Sequence, residues 1–352
     1  MKIAVLDIAA SKTGALSILT DFYNYIRQNP DDNEWIFITG VKDILGSAEN
    51  IRVECREDVK SSSAARLRFD LFTGAEYIKS LGADVLFSLQ NTLPRGTDGI
   101  RTVLYVHQPL GFQSVRKFSF FKGSERHMAV YQYLIAPMIN SSVKRADSVI
   151  VQTEWMKDAV IKKTGVSPEK VRKILPDVPV IADRYCAGKW NCREFFYPAG
   201  NIPYKNHVLI KEAIEILNGQ GYNDIKVHYT LDKNLSREEV FDMYNKCTLL
   251  FPSYIETFGL PMAEARQFGN PILASDMPFS HEVLEGYANA AFFDPFDANA
   301  LASDMKMVLD GKMIPGVPDR TCRNESSACG EIVKQIRGLQ DTPLNRETND
   351  RI

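Results

Sequence analysis

Thr248-Leu-Leu-Phe251-Pro-Ser-Tyr-Ile-Glu-Thr-Phe-Gly-Leu-Pro-Met-Ala-Glu264 runs from a short apolar stretch, through a loop, into a segment with helical spacing. Three apolar residues after a β-branched threonine suit a buried strand. Gly259 allows close backbone approach, and Pro261 suits a first helical turn, where its missing N–H would have been unpaired anyway. The stretch therefore reads as one βα unit whose helix start offers amide donors and a partial positive charge, between Glu256 ahead of the helix and Glu264 in its first turn. Taken alone, Glu264 could simply complement the helix dipole and Glu256 could be a solvated loop charge. Their combination with Phe258, Gly259 and Leu260, followed by Gly269-Asn-Pro-Ile-Leu-Ala-Ser275, points instead to a seat for a phosphorylated sugar.

The same alternation extends in both directions and predicts an α/β fold built on parallel sheets. Lys2–Leu6, Trp35–Thr39, Ile51–Cys55, Ala83–Phe87, Thr102–Val106 and Ser148–Gln152 read as strands of a first domain, with a helix over Ala64–Leu81 stopped by Gly82. Residues 176–193 break the periodicity and read as a linker. Glu194–Pro198, Ile225–Leu231, Thr248–Phe251, Pro271–Ala274 and Ala290–Phe293 then form a second series, with Ser236-Arg-Glu-Glu239 as a capping box. The expected division is 1–180, 181–320, a C-terminal helix over 321–338 that packs back toward the first domain, and a polar tail over 339–352.

With 352 residues, 45% of them hydrophobic, the chain is long enough for two cores. A net charge of −2 gives no general attraction for nucleic acid, so any anion site is local. The six cysteines show no CxxC pair and no histidine at ligand spacing, so no zinc site or disulfide framework is expected. The start Met1-Lys-Ile-Ala-Val-Leu-Asp7 is too short in apolar residues for a signal core, and no run is long enough to span a bilayer, which predicts a cytoplasmic protein.

Three further features bear on chemistry. Lys205, in Gly200-Asn-Ile-Pro-Tyr-Lys-Asn206, would bring a cation to a strand–helix loop, and His107 follows the strand ending at Val106, where open α/β sheets gather ligands. For His107 a core histidine satisfied by backbone is the competing reading. Ser11-Lys-Thr-Gly14 lacks the upstream glycine of a P-loop. Arg116-Lys117-Phe118-Ser119-Phe120-Phe121-Lys122 interleaves cations with aromatics, as a segment lying on an anionic membrane would, or as a basic loop with its rings turned inward.

The carboxylate motif, with Phe195-Phe-Tyr-Pro-Ala-Gly-Asn201, Lys205-Asn206, Pro278-Phe-Ser-His-Glu282 and Phe293-Asp-Pro-Phe-Asp297, resembles the retaining nucleotide-sugar glycosyltransferases of family 4. The resemblance is specific over about 194–310 and looser before it. It implies two facing Rossmann-like domains (GT-B) and transfer of a sugar from a nucleotide diphosphate to a hydroxyl of a lipid-linked saccharide, as in cell-surface polysaccharide assembly. It further implies that Glu256 contacts the donor sugar, Glu264 holds the ribose, and the N–H groups of Phe258, Gly259 and Leu260 serve sugar and diphosphate. Lys205 would offset diphosphate charge, His107 would meet donor or acceptor, and Gly14 would face the diphosphate. Asn201 stands where many members carry an arginine, so another cation is expected to serve. No cofactor or metal is implied beyond the co-substrate, for which a UDP-sugar is favoured, and contact with the inner face of the cytoplasmic membrane follows from the acceptor class. Within the same architecture, a nucleotide-sugar epimerase is the enzymatic alternative. A two-domain sugar-binding protein is the non-enzymatic one.

Overall fold

The computed structural model describes residues 1–10, 13–181, 189–231, 235–321 and 326–339. Its contacts divide the chain into two units, one of residues 1–112, 130–176 and 325–352, the other of 113–129 and 177–324. Each unit is an α/β domain on its own fully parallel sheet.

The first sheet has the order β3-β2-β1-β4-β5-β6-β7. Its strands are β1 (Lys2–Asp7), β2 (Glu34–Thr39), β3 (Ile51–Cys55), β4 (Val85–Ser88), β5 (Arg101–Tyr105), β6 (Ser148–Val151) and β7 (Val171–Lys173). Successive side chains of β1 serve two cores. Ile3 and Val5 pack with Leu19, Phe22, Trp35 and Ile332, whereas Ala4 and Leu6 pack with Ile36, Phe69, Ile139 and Met156. A strand buried on both faces has no polar alternation, which is why these strands read as plain apolar runs. β7 escaped the sequence reading because only Val171 of its three residues is buried.

The helix expected over Ala64–Leu81 forms as Ser63–Arg68, a π-helical turn Phe69–Thr73, and Gly74–Ser80. A Cβ on Gly74 would sit 2.7 Å from the Phe69 carbonyl, so the widened turn needs glycine there. The C-terminal helix Ala328–Gly338 packs on the first sheet, with Gln335 Nε2 donating to Ser148 Oγ at 3.0 Å. Of the tail expected over 339–352, Leu339 is buried in the core of the first unit, contrary to the sequence reading, and residues 340–352 lie outside the described residues.

The second sheet has the order β12-β11-β10-β8-β9, formed by β8 (Glu194–Tyr197), β9 (Lys226–Tyr229), β10 (Thr248–Phe251), β11 (Ile272–Ser275) and β12 (Ala290–Phe293). Strand order reverses between β8 and β10, so the loops leaving those strands diverge and open a crevice at their carboxyl ends. In the first sheet the reversal falls between β1 and β4. The basic-aromatic segment, which the sequence reading attaches to the first domain, makes its contacts with the second unit. Chain order assigned it to its neighbours in sequence; packing assigned it elsewhere.

Candidate active site

The switch point of the second unit brings Lys205 and Glu256 together. Lys205 closes a 3-10 turn, Pro203–Lys205, on the loop after β8, and Glu256 lies on the loop after β10. Their side chains form an ion pair, 19% and 16% exposed, so both remain reachable from solvent. The floor beneath them is fixed by hydrogen bonds. The buried Tyr197 hydroxyl donates to the Lys205 carbonyl at 2.7 Å and lies 3.0 Å from Ser253 Oγ, while Ser275 Oγ donates to the Ser253 carbonyl at 2.5 Å. Burial raises the Tyr197 pKa well above its ordinary value, which keeps the phenol neutral as a donor. Asn206, at φ +59°, donates from Nδ2 to the Pro295 carbonyl at 2.7 Å and so ties in the loop after β12.

Gly259, at φ +92°, precedes the helix Leu260–Ala265 with Pro261 in its first turn. A side chain at this φ would be strained, so the glycine is required for the entry into the helix. The first-turn amides of a helix have no intrahelical acceptor, which leaves donors beside the Lys205–Glu256 pair. Glu264 is the fifth helical residue, and the helix has no acid in its first turn, contrary to the sequence reading. It is 1% exposed, ion-pairs with Arg237 and accepts from Tyr244 Oη at 3.1 Å. Burial raises its pKa, and Arg237 and the Tyr244 hydroxyl oppose that rise. The carboxylate expected to meet ribose therefore has protein partners on both oxygens. Arg237 was missed because the sequence fixes its place at the start of the helix Arg237–Lys246 but not the direction of its side chain. Phe258 is buried, Leu260 is partly buried, and Asn201 is exposed on the loop after β8.

In the first unit His107 follows β5. Its Nε2 lies 2.8 Å from the Leu89 carbonyl and 3.2 Å from Asn91 Nδ2, while the His107 amide donates to Asn91 Oδ1 at 2.7 Å. The amide bond fixes the Asn91 side chain, so Nε2 is engaged by both the Leu89 carbonyl and the Asn91 amide nitrogen. Burial holds the imidazole pKa below its ordinary value, opposed by the Leu89 bond, so the ring is neutral. The backbone satisfaction set against a ligand role is thus present on one nitrogen. Asp7, which the sequence reading passed over, ends β1 beside the strand-order reversal. It is 1% exposed; Oδ1 accepts from the Ala10 amide at 3.1 Å, and Oδ2 is buried with no hydrogen-bond partner among the described residues. Burial pushes its carboxyl up to about 6, against the Ala10 bond and the charges of Arg66 and Lys60. Gly14 lies near the start of the helix Thr13–Gln28 with open space where a Cβ would point, and Ser11 and Lys12 lie outside the described residues.

The basic-aromatic segment divides its rings. Phe118 is 3% exposed, Phe120 39% and Phe121 96%. Arg116 pairs with the buried Glu125 at 2.7 Å and Lys122 lies 3.8 Å from it, while Lys117 is exposed. Phe118 thus follows the inward alternative. No helix among the described residues is long and apolar enough to cross a membrane.

Residues 223–323 match the sequence model of the family described as "Glycosyl transferases group 1". The O-antigen chain mannosyltransferase RfbU of Salmonella typhimurium is 27% identical over 192 residues, 49% of this chain and 53% of that protein. The matched region spans about half the length of that curated relative. Among solved structures, a sucrose-phosphate synthase of Thermosynechococcus elongatus superposes with a TM-score of 0.67 at 16% identity, covering 96% of this chain and 99% of its own. Anabaena HepE, solved with UDP and glucose, gives 0.62 at 15%, covering 97% and 100%. The lipopolysaccharide outer core galactosyltransferase WaaB gives 0.55 at 14%, covering 97% and 96%. The chain thus has the two parallel-sheet α/β domains of GT-B glycosyltransferase structures, and residues 223–323 are similar to the glycosyl transferases group 1 family.

Proposed function

We propose that the protein transfers a sugar, with retention, from a nucleotide diphosphate to a hydroxyl of a lipid-linked saccharide in surface polysaccharide assembly. The observation that carries this reading is the Lys205–Glu256 pair at the switch point, beside the Gly259 helix start. A donor diphosphate would take over Lys205, whose charge offsets the charge that builds on the leaving phosphate. Glu256, released, accepts hydrogen bonds from sugar hydroxyls, and the amides of Phe258, Gly259 and Leu260 donate to sugar and diphosphate. The bond from the anomeric carbon to the phosphate oxygen breaks as the bond to the acceptor oxygen forms. The acceptor proton passes to the departing phosphate oxygen on the same face, so no protein nucleophile and no metal is needed for the transfer.

Ribose hydroxyls would bind Glu264 by displacing Arg237, whose side chain is 51% exposed and would turn toward phosphate. In this reading Arg237 also supplies a cation that Asn201 does not. His107 Nδ1 and the loop bearing Gly14 meet the acceptor or donor hydroxyls. Exposed Lys117, Phe121 and Lys122 rest on the cytoplasmic membrane face that presents the acceptor. The relative RfbU acts on O-antigen chains and HepE was solved with UDP, which makes a UDP-sugar and an O-antigen-type acceptor the first choices. A thermal-shift screen against UDP, GDP, TDP and ADP, followed by product formation with and without acceptor, tests the reading. Product without acceptor would favour the epimerase. Tight binding of an unmodified sugar, with no response to any nucleotide, would favour the sugar-binding protein.

A further inference from the structure

We infer that Glu194, His228 and Cys247 form a zinc-type divalent metal site at the amino end of the second sheet, away from the Lys205–Glu256 crevice. One ligand atom from each of the three lies within 4.8 Å of the other two. The sheet explains why. β8 and β9 pair Glu194 with Lys226 and Phe196 with His228, so Glu194 and His228 point to the same face two positions apart. β10 and β8 pair Thr248 with Phe195, which sets Cys247, one residue earlier, beside Glu194 on that face.

The chemistry of the set suits a borderline-soft cation. Thiolate, imidazole and carboxylate are the usual zinc ligands, and three of them leave a fourth position for solvent. Zinc bonds of about 2.0–2.3 Å put ligand atoms roughly 3.5 Å apart. His228 Nε2 is already 3.1 Å from Glu194 Oε2, so metal entry places the ion between these two atoms, with the imidazole proton carried on Nδ1, and requires a modest closing of Cys247. Asn191 Nδ2 donates to Glu194 Oε1 at 3.2 Å, an outer contact that orients the carboxylate. Cys247 is 1% exposed and its thiol is pushed up to about 12, by burial first and then by Glu194. The carboxylate that opposes thiol ionisation in the metal-free protein becomes a co-ligand once a dication is present. Binding releases the thiol proton to solvent and changes no oxidation state. Lys226, 3.9 Å from Glu194 Oε1 and 71% exposed, has room to turn away. The bound ion would cross-link β8, β9 and the end of the helix Arg237–Lys246, so its role is structural.

Cobalt(II) titration of the chelator-treated full chain tests this. One equivalent should bind, with a thiolate-to-metal charge-transfer band that zinc abolishes. The band should vanish in Cys247→Ser and persist in Cys329→Ser, whose thiol lies in the first unit. Affinity should fall at least tenfold in His228→Gln and in Glu194→Gln, two partly exposed positions where the fold should survive, as circular dichroism would verify. Absence of a thiolate band in the folded wild-type chain, or a band that withstands both exposed substitutions at full affinity, would overturn the site.

Discussion

The two strand-order reversals treat charge in opposite ways. In the second unit the polar groups meet as ion pairs, Lys205 with Glu256 and Arg237 with Glu264. In the first unit Asp7 has one oxygen without a hydrogen-bond partner among the described residues, and His107 is held neutral by burial against the opposing bond to the Leu89 carbonyl. A carboxylate already matched by a cation can exchange that cation for hydroxyls while the cation takes a phosphate, so little new charge is buried on binding. A neutral imidazole and a carboxyl that protonates readily suit uncharged hydroxyl partners. Under the proposed function, the second unit's ion pairs suit an anionic donor, and the first unit's neutral groups suit uncharged hydroxyls.

The strongest way to break this comparison is to remove one member of the exposed pair. Lys205→Ala and Glu256→Ala should each lower the transfer rate by about 10²–10³-fold while the melting temperature stays close to wild type, since a preorganised charge contact at developing charge is worth that much. Near-normal turnover in both would end the assignment of this crevice.

The next effect concerns Asp7 and is read in pH. Its carboxyl is raised in the folded state to about 6, so the folded protein binds the proton more tightly than the unfolded chain. The corresponding stability is complete below the unfolded value near 4 and is lost as pH rises through 6. Denaturant unfolding of wild type should therefore lose about 2–3 kcal/mol between pH 4 and 7 relative to Asp7→Asn. Parallel profiles for the two proteins would mean that Asp7 titrates normally and that the contrast between the units is overstated.

Arg237→Ala probes the second ion pair. It leaves Glu264, 1% exposed, with Tyr244 as its remaining partner, and the cost should be about 1–2 kcal/mol because half of the arginine is in water. Loss of nucleotide affinity beyond that of a stability-matched surface variant would support a phosphate role. Ser236→Ala should cost about 1 kcal/mol through the loss of the capping box, in which Ser236 Oγ accepts from the Glu239 amide at 3.2 Å, with no change in the Lys205–Glu256 chemistry. The smallest effect is expected at the surface. Phe121→Ala should lower partition onto anionic vesicles several-fold in sedimentation and leave turnover on a soluble acceptor unchanged.

Much of the fold was legible because parallel sheets buried on both faces demand contiguous apolar strands, and the chain shows them at Lys2–Leu6, Trp35–Thr39 and Thr248–Phe251. Gly259 and Pro261 marked a helix entry because backbone conformation there excludes most other residues. The capping box at Ser236 could be read because all its atoms lie within one turn, and both of its hydrogen bonds are present. The edge strand β7 and the π-helical turn at Phe69–Thr73 were not legible, since one buried residue or one extra residue in a turn leaves no period to detect.

Local sequence thus determined the βα units, the loops carrying Lys205 and Glu256, and the composition that rules out a general nucleic-acid surface. Only the tertiary structure decided which side chains meet: Arg237 on Glu264, Arg116 on Glu125 within the second unit, and Glu194 with His228 and Cys247. Propensity and hydrophobic period act over a few residues and survive in the linear chain. Strand order and register, which bring residues 194, 228 and 247 onto one face, arise when the strands pair.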